Sequence, residues 1–158
     1  MPNRPVFRQL GPDDLSAMDQ LLGVFGEAFG EPETYASSRP GAGYLRGLLG
    51  SDTFIAIVAE AAGAVVGGIA AYELRKFEQE RSEIYLYDLA VLEAYRRQGV
   101  ATGLIQELRG VAAARGAWVI LVQADTGSED QAAIALYSRL GTREEVLHFD
   151  IPVERNGE

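Results

Sequence analysis

Ile84–Ile105 reads IYLYDLAVLEAYRRQGVATGLI. Its first eight residues are apolar or aromatic at odd and even positions alike, as expected for a central strand covered on both faces. From Gly99 onward, Val100, Leu104, Leu108 and Val111 recur at helical spacing and give an apolar stripe that ends near Gly116. A strand, a short turn and a helix opening on glycine leave backbone N–H groups without intrahelical partners at the positive end of the helix dipole, where anions bind. Arg96 and Arg97 stand directly before that helix in an otherwise acidic chain. The run lacks the lysine and spacing of a Walker A loop, and no Gly-x-Gly-x-x-Gly is present. The residues alone therefore leave two readings open: a glycine-closed turn between solvated arginines, or a cradle for phosphate.

Outward from this stretch, strands and helices alternate. Upstream, VFRQL (6–10) reads as a strand that stops at Gly11-Pro12, and Leu15, Met18, Leu21, Leu22, Phe25 and Phe29 predict a helix that ends at Gly30. EPETYASSRPGAG reads as a loop, and Tyr44, Leu45, Leu48 and Leu49 as a short second helix ending at Gly50. TFIAIVAE and AVVGGIAAYEL, separated by AAGA, predict a hairpin with a glycine turn, and KFEQERSE is a charged connection. Downstream, AWVILVQA is a buried strand, and SEDQAAIALYSRLG is a helix with a Ser128/Gln131 capping box and Gly141 just past its end. REEVLHFDI is expected to close the fold as a last strand, with residues 151–158 fraying. This order predicts an α/β fold: a mixed β-sheet of about six to seven strands with helices on both faces.

Composition narrows the function. The 158 residues fit one domain spanning 1–158, and 47% hydrophobic with 23% charged residues match an ordinary globular chain. A net charge of −9 disfavours a nucleic-acid partner, which needs a basic face, and favours a cationic small molecule. There are no cysteines and one histidine, His148, so thiolate chemistry and a zinc site are not expected and no metal is assigned. MPNRPVFRQLGPDD lacks the apolar core of a signal peptide, and no apolar run approaches the ~20 residues that span a bilayer. The expectation is a cytoplasmic protein without a membrane partner.

LAVLEAYRRQGVATGLI resembles the acetyl-CoA signature of the GNAT superfamily of N-acetyltransferases, Arg/Gln-x-x-Gly-x-Gly/Ala after a central strand, and ALYSRLG is similar to that superfamily's late helix. KFEQERSEIYLYDLAV, YRRQGVAT, LVQAD and LGTREEVLHFDI more narrowly resemble the aminoglycoside 3-N-acetyltransferases of type I. Arg97 departs from the pattern, since many superfamily members carry glycine there. The resemblance implies that the N–H groups of Gln98, Gly99, Val100, Ala101 and Thr102 cradle the pyrophosphate of acetyl-CoA. Arg96 and Arg97 lend charge, and Leu89, Ala90 and Val91 pair with its pantetheine arm by main chain. It also implies that Tyr137 donates a proton or hydrogen bond to the departing thiolate.

An aliphatic amine attacks a thioester only as the neutral base, so a proton acceptor is needed at neutral pH. Asp88, a carboxylate in a strand too apolar to hold one idly, is the first candidate, and Glu83, acting through a water, the second. A polycationic acceptor such as an aminoglycoside calls for a carboxylate-lined cleft. Glu27, Glu31, Glu78, Glu80, Asp125 and Asp150 could supply it, with Tyr85 and Tyr87 as lining. The alternatives are a GNAT enzyme for another amine, such as a polyamine or peptide amine, and a non-catalytic acetyl-CoA sensor. Superfamily members often form dimers, so a homodimer is a further expectation.

Overall fold

The computed structural model describes residues 4–31, 33, 35, 39–127 and 130–155. These form two compact units, residues 1–123 and 124–158. The first contains β1 (Val6–Gln9), α1 (Leu15–Phe29), α2 (Ala42–Leu49), β2 (Phe54–Ala61), β3 (Ala64–Arg75), β4 (Ser82–Val91), α3 (Val100–Ala114) and β5 (Ala117–Val122). Its sheet runs β1-β2-β3-β4-β5; the first four strands pair antiparallel in chain order, and β5 lies parallel to β4.

Alternation along the strands divides the core in two. Ala56, Val58, Ala70 and Ala90 face α1, whose Ala17, Met18, Leu21, Val24 and Phe25 are buried against them together with Leu45 and Leu49 of α2. The intervening Ile55, Ile57, Ile69, Ile84 and Leu86 are buried on the opposite face, where α3 presents Val100, Leu104, Ile105 and Leu108. Leu21 and Leu104 are fully buried, and truncating either to alanine costs about 2–5 kcal/mol. The β2–β3 hairpin turns on Ala62 and Gly63, both left-handed (φ 53° and 79°), as the twist of a two-residue turn demands.

Polar links fix the ends of the elements. Arg8 on β1 holds Glu60 of β2 and, at 2.9 Å, Asp14 at the start of α1. Asp14 also accepts the Gly11 N–H at 2.8 Å, so it closes the turn before α1 and makes no side-chain cap to the helix. On α3, Gly103 lies over Phe7 of β1: a Cβ at that position would stand 2.3 Å from the Phe7 ring, so a larger residue there would have to displace that ring.

The second unit contains α4 (Gln131–Leu140). Ser128 of the expected capping box lies outside the described residues. Gly141 follows in extended conformation, its N–H on the Tyr137 carbonyl at 2.9 Å, so no left-handed cap forms. The expected last strand is corrected: residues 142–155 carry no strand pairing, and the sheet of the described residues has five strands instead of six to seven. An alternating pattern becomes a strand only where an edge accepts it, and none of the described residues of this unit forms a sheet. Leu147, Phe149 and Ile151 are 84%, 76% and 85% exposed.

Candidate active site

The site begins with a fault in the β3–β4 ladder. Ala70 lies opposite Asp88 while Ala71 lies opposite Leu86, so Tyr87 is left over as a β-bulge. A bulge lets consecutive side chains project to the same side. Ala70 and Asp88 share the α1 face with the pairs Tyr72–Tyr85 and Leu74–Glu83. Tyr87 joins them, its ring 5.8 Å from Tyr72 and 5.6 Å from Tyr85. With Phe54 standing 5.4 Å from Tyr72, four rings form a continuous run beside Asp88. Tyr35, braced by Phe25 at 6.1 Å and Phe29 at 5.8 Å, adds a further tyrosine within electrostatic reach of Asp88.

Burial pushes the carboxyl pKa of Asp88 above the usual aspartate range, because the half-buried anion has lost hydration without gaining a cation. Tyr35, Tyr72 and Tyr85 are raised as well, first by burial and then by neighbours that include Asp88, so all three stay protonated donors at neutral pH. Tyr85 uses its hydroxyl on Gln123 Oε1 at 2.6 Å.

The end of β4 supplies a second feature. Pairing with β5 stops at Leu86–Val122, so among the described residues Leu89, Ala90 and Val91 pair only with β3, at Ile69, Gly68 and Gly67, and β5 leaves their other edge open. A single 3-10 turn (Glu93–Tyr95) then leads to Arg97 and Gly99, both left-handed (φ 61° and 80°), and α3 begins. The Gly99 carbonyl accepts the Gly103 N–H at 2.9 Å, so the N–H groups of Val100, Ala101 and Thr102 precede the first helical bond. Arg96 Nε turns back to the Val91 carbonyl at 2.9 Å and Gln98 Nε2 to Ala94 at 3.1 Å. Both side chains therefore brace the turn, and Arg97 is exposed. An open strand edge leading to a helix N-terminus fits an elongated ligand with amides along its length and phosphates at one end, which is the chemistry of acetyl-CoA.

The remaining candidates are dispersed. Glu83 and Glu78 both hold Lys76, each at 3.4 Å, so the second candidate base and one of the expected cleft carboxylates share a single internal cation. Glu80 is exposed in the β3–β4 connection, and Glu27 and Glu31 are exposed at the end of α1, where Glu31 adds its charge near Tyr35. In the second unit, Tyr137 is half-buried on α4, the Asp125 amide donates to Asp130 Oδ2 at 2.8 Å, and Asp150 is engaged by His148 at 2.9 Å. Tyr72, Tyr35 and Lys76 were not foreseen from sequence. Tyr72 could have been found from its spacing of two from Ala70, had the Asp88 register been known.

The acetyltransferase (GNAT) family model matches residues 18–142. The chain belongs to the GNAT family. Among solved structures, an aminoglycoside acetyltransferase from an uncultured soil metagenomic sample is 61% identical with a TM-score of 0.94, over 95% of this chain and 99% of its own. A second aminoglycoside acetyltransferase from such a sample, solved in complex with sisomicin, is 29% identical with a TM-score of 0.85, over 95% and 97% of the two chains. N-acetyltransferase family 8 member 2 of Rattus norvegicus is 33% identical over 93 residues, 58% of this chain; the GNAT chain described here spans 40% of that relative.

Proposed function

We propose that this GNAT chain transfers the acetyl group of acetyl-CoA directly to an amino group of a polycationic aminoglycoside, at the 3-amino position, and so confers resistance. The observation that carries the reading is Asp88: a half-buried carboxylate without a cation of its own, set among tyrosines at the start of the open β4 edge. The likeness to aminoglycoside acetyltransferases at 61% and 29% identity supports the acceptor class. The 3-amino position rests on the sequence resemblance.

When bound, acetyl-CoA supplies the acetyl thioester. The N–H groups of Gln98, Gly99, Val100, Ala101 and Thr102 hold the pyrophosphate, with charge from Arg97 and from the outer nitrogens of Arg96. The main chain of Leu89 and Ala90 pairs with the pantetheine arm, while the Val91 carbonyl is already occupied by Arg96. Asp88 takes the proton of the acceptor ammonium, whose pKa near ~10 keeps it charged at neutral pH. Its raised pKa makes it a stronger base than an exposed aspartate. Glu83 serves as a relay through water, its position fixed by Lys76. Tyr137 supplies the proton at the departing sulfur.

Incubation of the protein with acetyl-CoA and gentamicin, read by mass spectrometry with the acetylated nitrogen located by NMR, tests the assignment. Mono-acetylated gentamicin at the 3-amino group is the expected product. Thiol release with spermidine or a peptide amine alone would move the enzyme to another acceptor. Acetyl-CoA binding with no thiol release for any amine would make the chain a sensor.

A further inference from the structure

Asp88 has aromatic neighbours and no cationic partner. Lys76 in the β3–β4 connection and Arg39 in the α1–α2 connection are already committed, Lys76 to Glu78 and Glu83, and Arg39 to Asp19. Burial alone accounts for the state of the Asp88 carboxyl, so no lysine or arginine among the described residues offsets its charge. A carboxylate without a counter-ion, walled by electron-rich rings, has the composition of a pocket for an ammonium group, which is drawn both to the anion and to the negative faces of aromatic rings.

We propose that Tyr72 is a specificity-determining residue, which binds an ammonium group of the acceptor against its ring beside Asp88. The inference rests on the reading of the chain as an aminoglycoside acetyltransferase and names a contact that the reading leaves unassigned. Tyr72 lies two residues along β3 from Ala70, the partner of Asp88, and on the same face. In a regular ladder such diagonal neighbours stand about 7–8 Å apart; here the Tyr87 bulge intervenes, and the Asp88 charge acting on the Tyr72 hydroxyl shows the two side chains to be within electrostatic reach. Its ring packs against Phe54 at 5.4 Å and stands perpendicular to that of Tyr87 at 5.8 Å and 88°, while the residue keeps part of its surface exposed. A ring fixed in this way loses little freedom when a cation settles against it. Tyr85, the cross-strand partner of Tyr72, is tied by its hydroxyl to Gln123, which makes Tyr72 the better placed of the two to meet a ligand beside Asp88. An aminoglycoside acceptor has several ammonium groups; one rests on Tyr72 while its neighbour yields a proton to Asp88.

The test compares wild type, Tyr72→Phe and Tyr72→Leu in steady-state kinetics with gentamicin, after thermal melts have shown that each variant is folded. Tyr72→Phe keeps the ring and is expected to hold the gentamicin KM within about twofold. Tyr72→Leu is expected to raise it roughly tenfold, with the KM for acetyl-CoA unchanged. A leucine variant equal to wild type overturns the proposal. So does a phenylalanine variant as impaired as the leucine one, because the hydroxyl would then be the binding group. Tyr72→Met provides a second ring-free side chain should leucine not fold. Calorimetric titration of the same proteins with gentamicin separates the two claims. Tight binding by wild type without turnover overturns the enzymatic reading alone, whereas equal affinities for wild type and Tyr72→Leu overturn the role of Tyr72.

Discussion

Glu73 on β3 accepts a 2.7 Å hydrogen bond from Arg115, the residue that follows α3. The pair is largely buried, its side chains 9% and 24% exposed. Burial is the largest single influence and acts to raise the Glu73 pKa, but Arg115, Ser82 and Arg75 together outweigh it and leave the carboxyl below the usual glutamate range. The stabilisation is therefore complete above the unfolded value near ~4.3 and is lost as pH falls through the folded one. Glu73→Gln is expected to cost about 2 kcal/mol at pH 7. Thermal melts from pH 7 to pH 3 check this: the gap between variant and wild type should close in acid, and a gap that persists unchanged would remove the ionic contribution.

Asp88 behaves in the opposite sense. Because burial raises its pKa, the folded state favours the protonated form, and that preference is lost as pH rises through the folded value. Asp88→Asn is expected to leave stability unchanged or improved at pH 7 while turnover falls by about 10²–10⁴. In wild type, the acid limb of kcat/KM should lie above the ordinary aspartate range. Melting curves and a pH–rate profile on the two proteins decide, and an asparagine variant with normal turnover would remove Asp88 as the base.

Gly99 sits at φ 80° with open space where a side chain would project. Gly99→Val is therefore expected to keep the fold, at a backbone cost of about 1–3 kcal/mol, while the N–H cradle is displaced. Calorimetry with acetyl-CoA should show affinity reduced at least tenfold. Undiminished affinity would place the pyrophosphate elsewhere.

For Tyr137, the expected separation is between binding and turnover. Tyr137→Phe should retain acetyl-CoA affinity and lose most of kcat. A variant with wild-type kcat and an unaltered pH profile would show that another group protonates the sulfur.

The fold was legible where local chemistry and long-range structure agree. IYLYDLAV, apolar on both parities, became a strand covered by α1 on one side and α3 on the other, and the AAGA turn became a two-residue hairpin. Agreement ended where a partner decides the outcome. LHFDI alternates as a strand should, yet no edge within its unit accepts it. The bulge at Tyr87 was invisible for the reason that made the strand easy to find: a run apolar at every position does not reveal a slip in register. Without that slip Tyr87 and Asp88 point to opposite faces, and the tyrosine cluster cannot be drawn from sequence. Lys76 likewise looked like one charge among many, although its position decides that Glu78 and Glu83 are paired.

The absence of a side chain at Gly103 gives Phe7 an influence out of proportion to its place in the chain. The helix whose first-turn amides precede its first internal hydrogen bond rests, at Gly103, upon an aromatic ring from the opening strand. A change in the bulk of that ring is therefore expected to shift the start of α3, and calorimetry of Phe7→Leu with acetyl-CoA checks whether cosubstrate affinity follows.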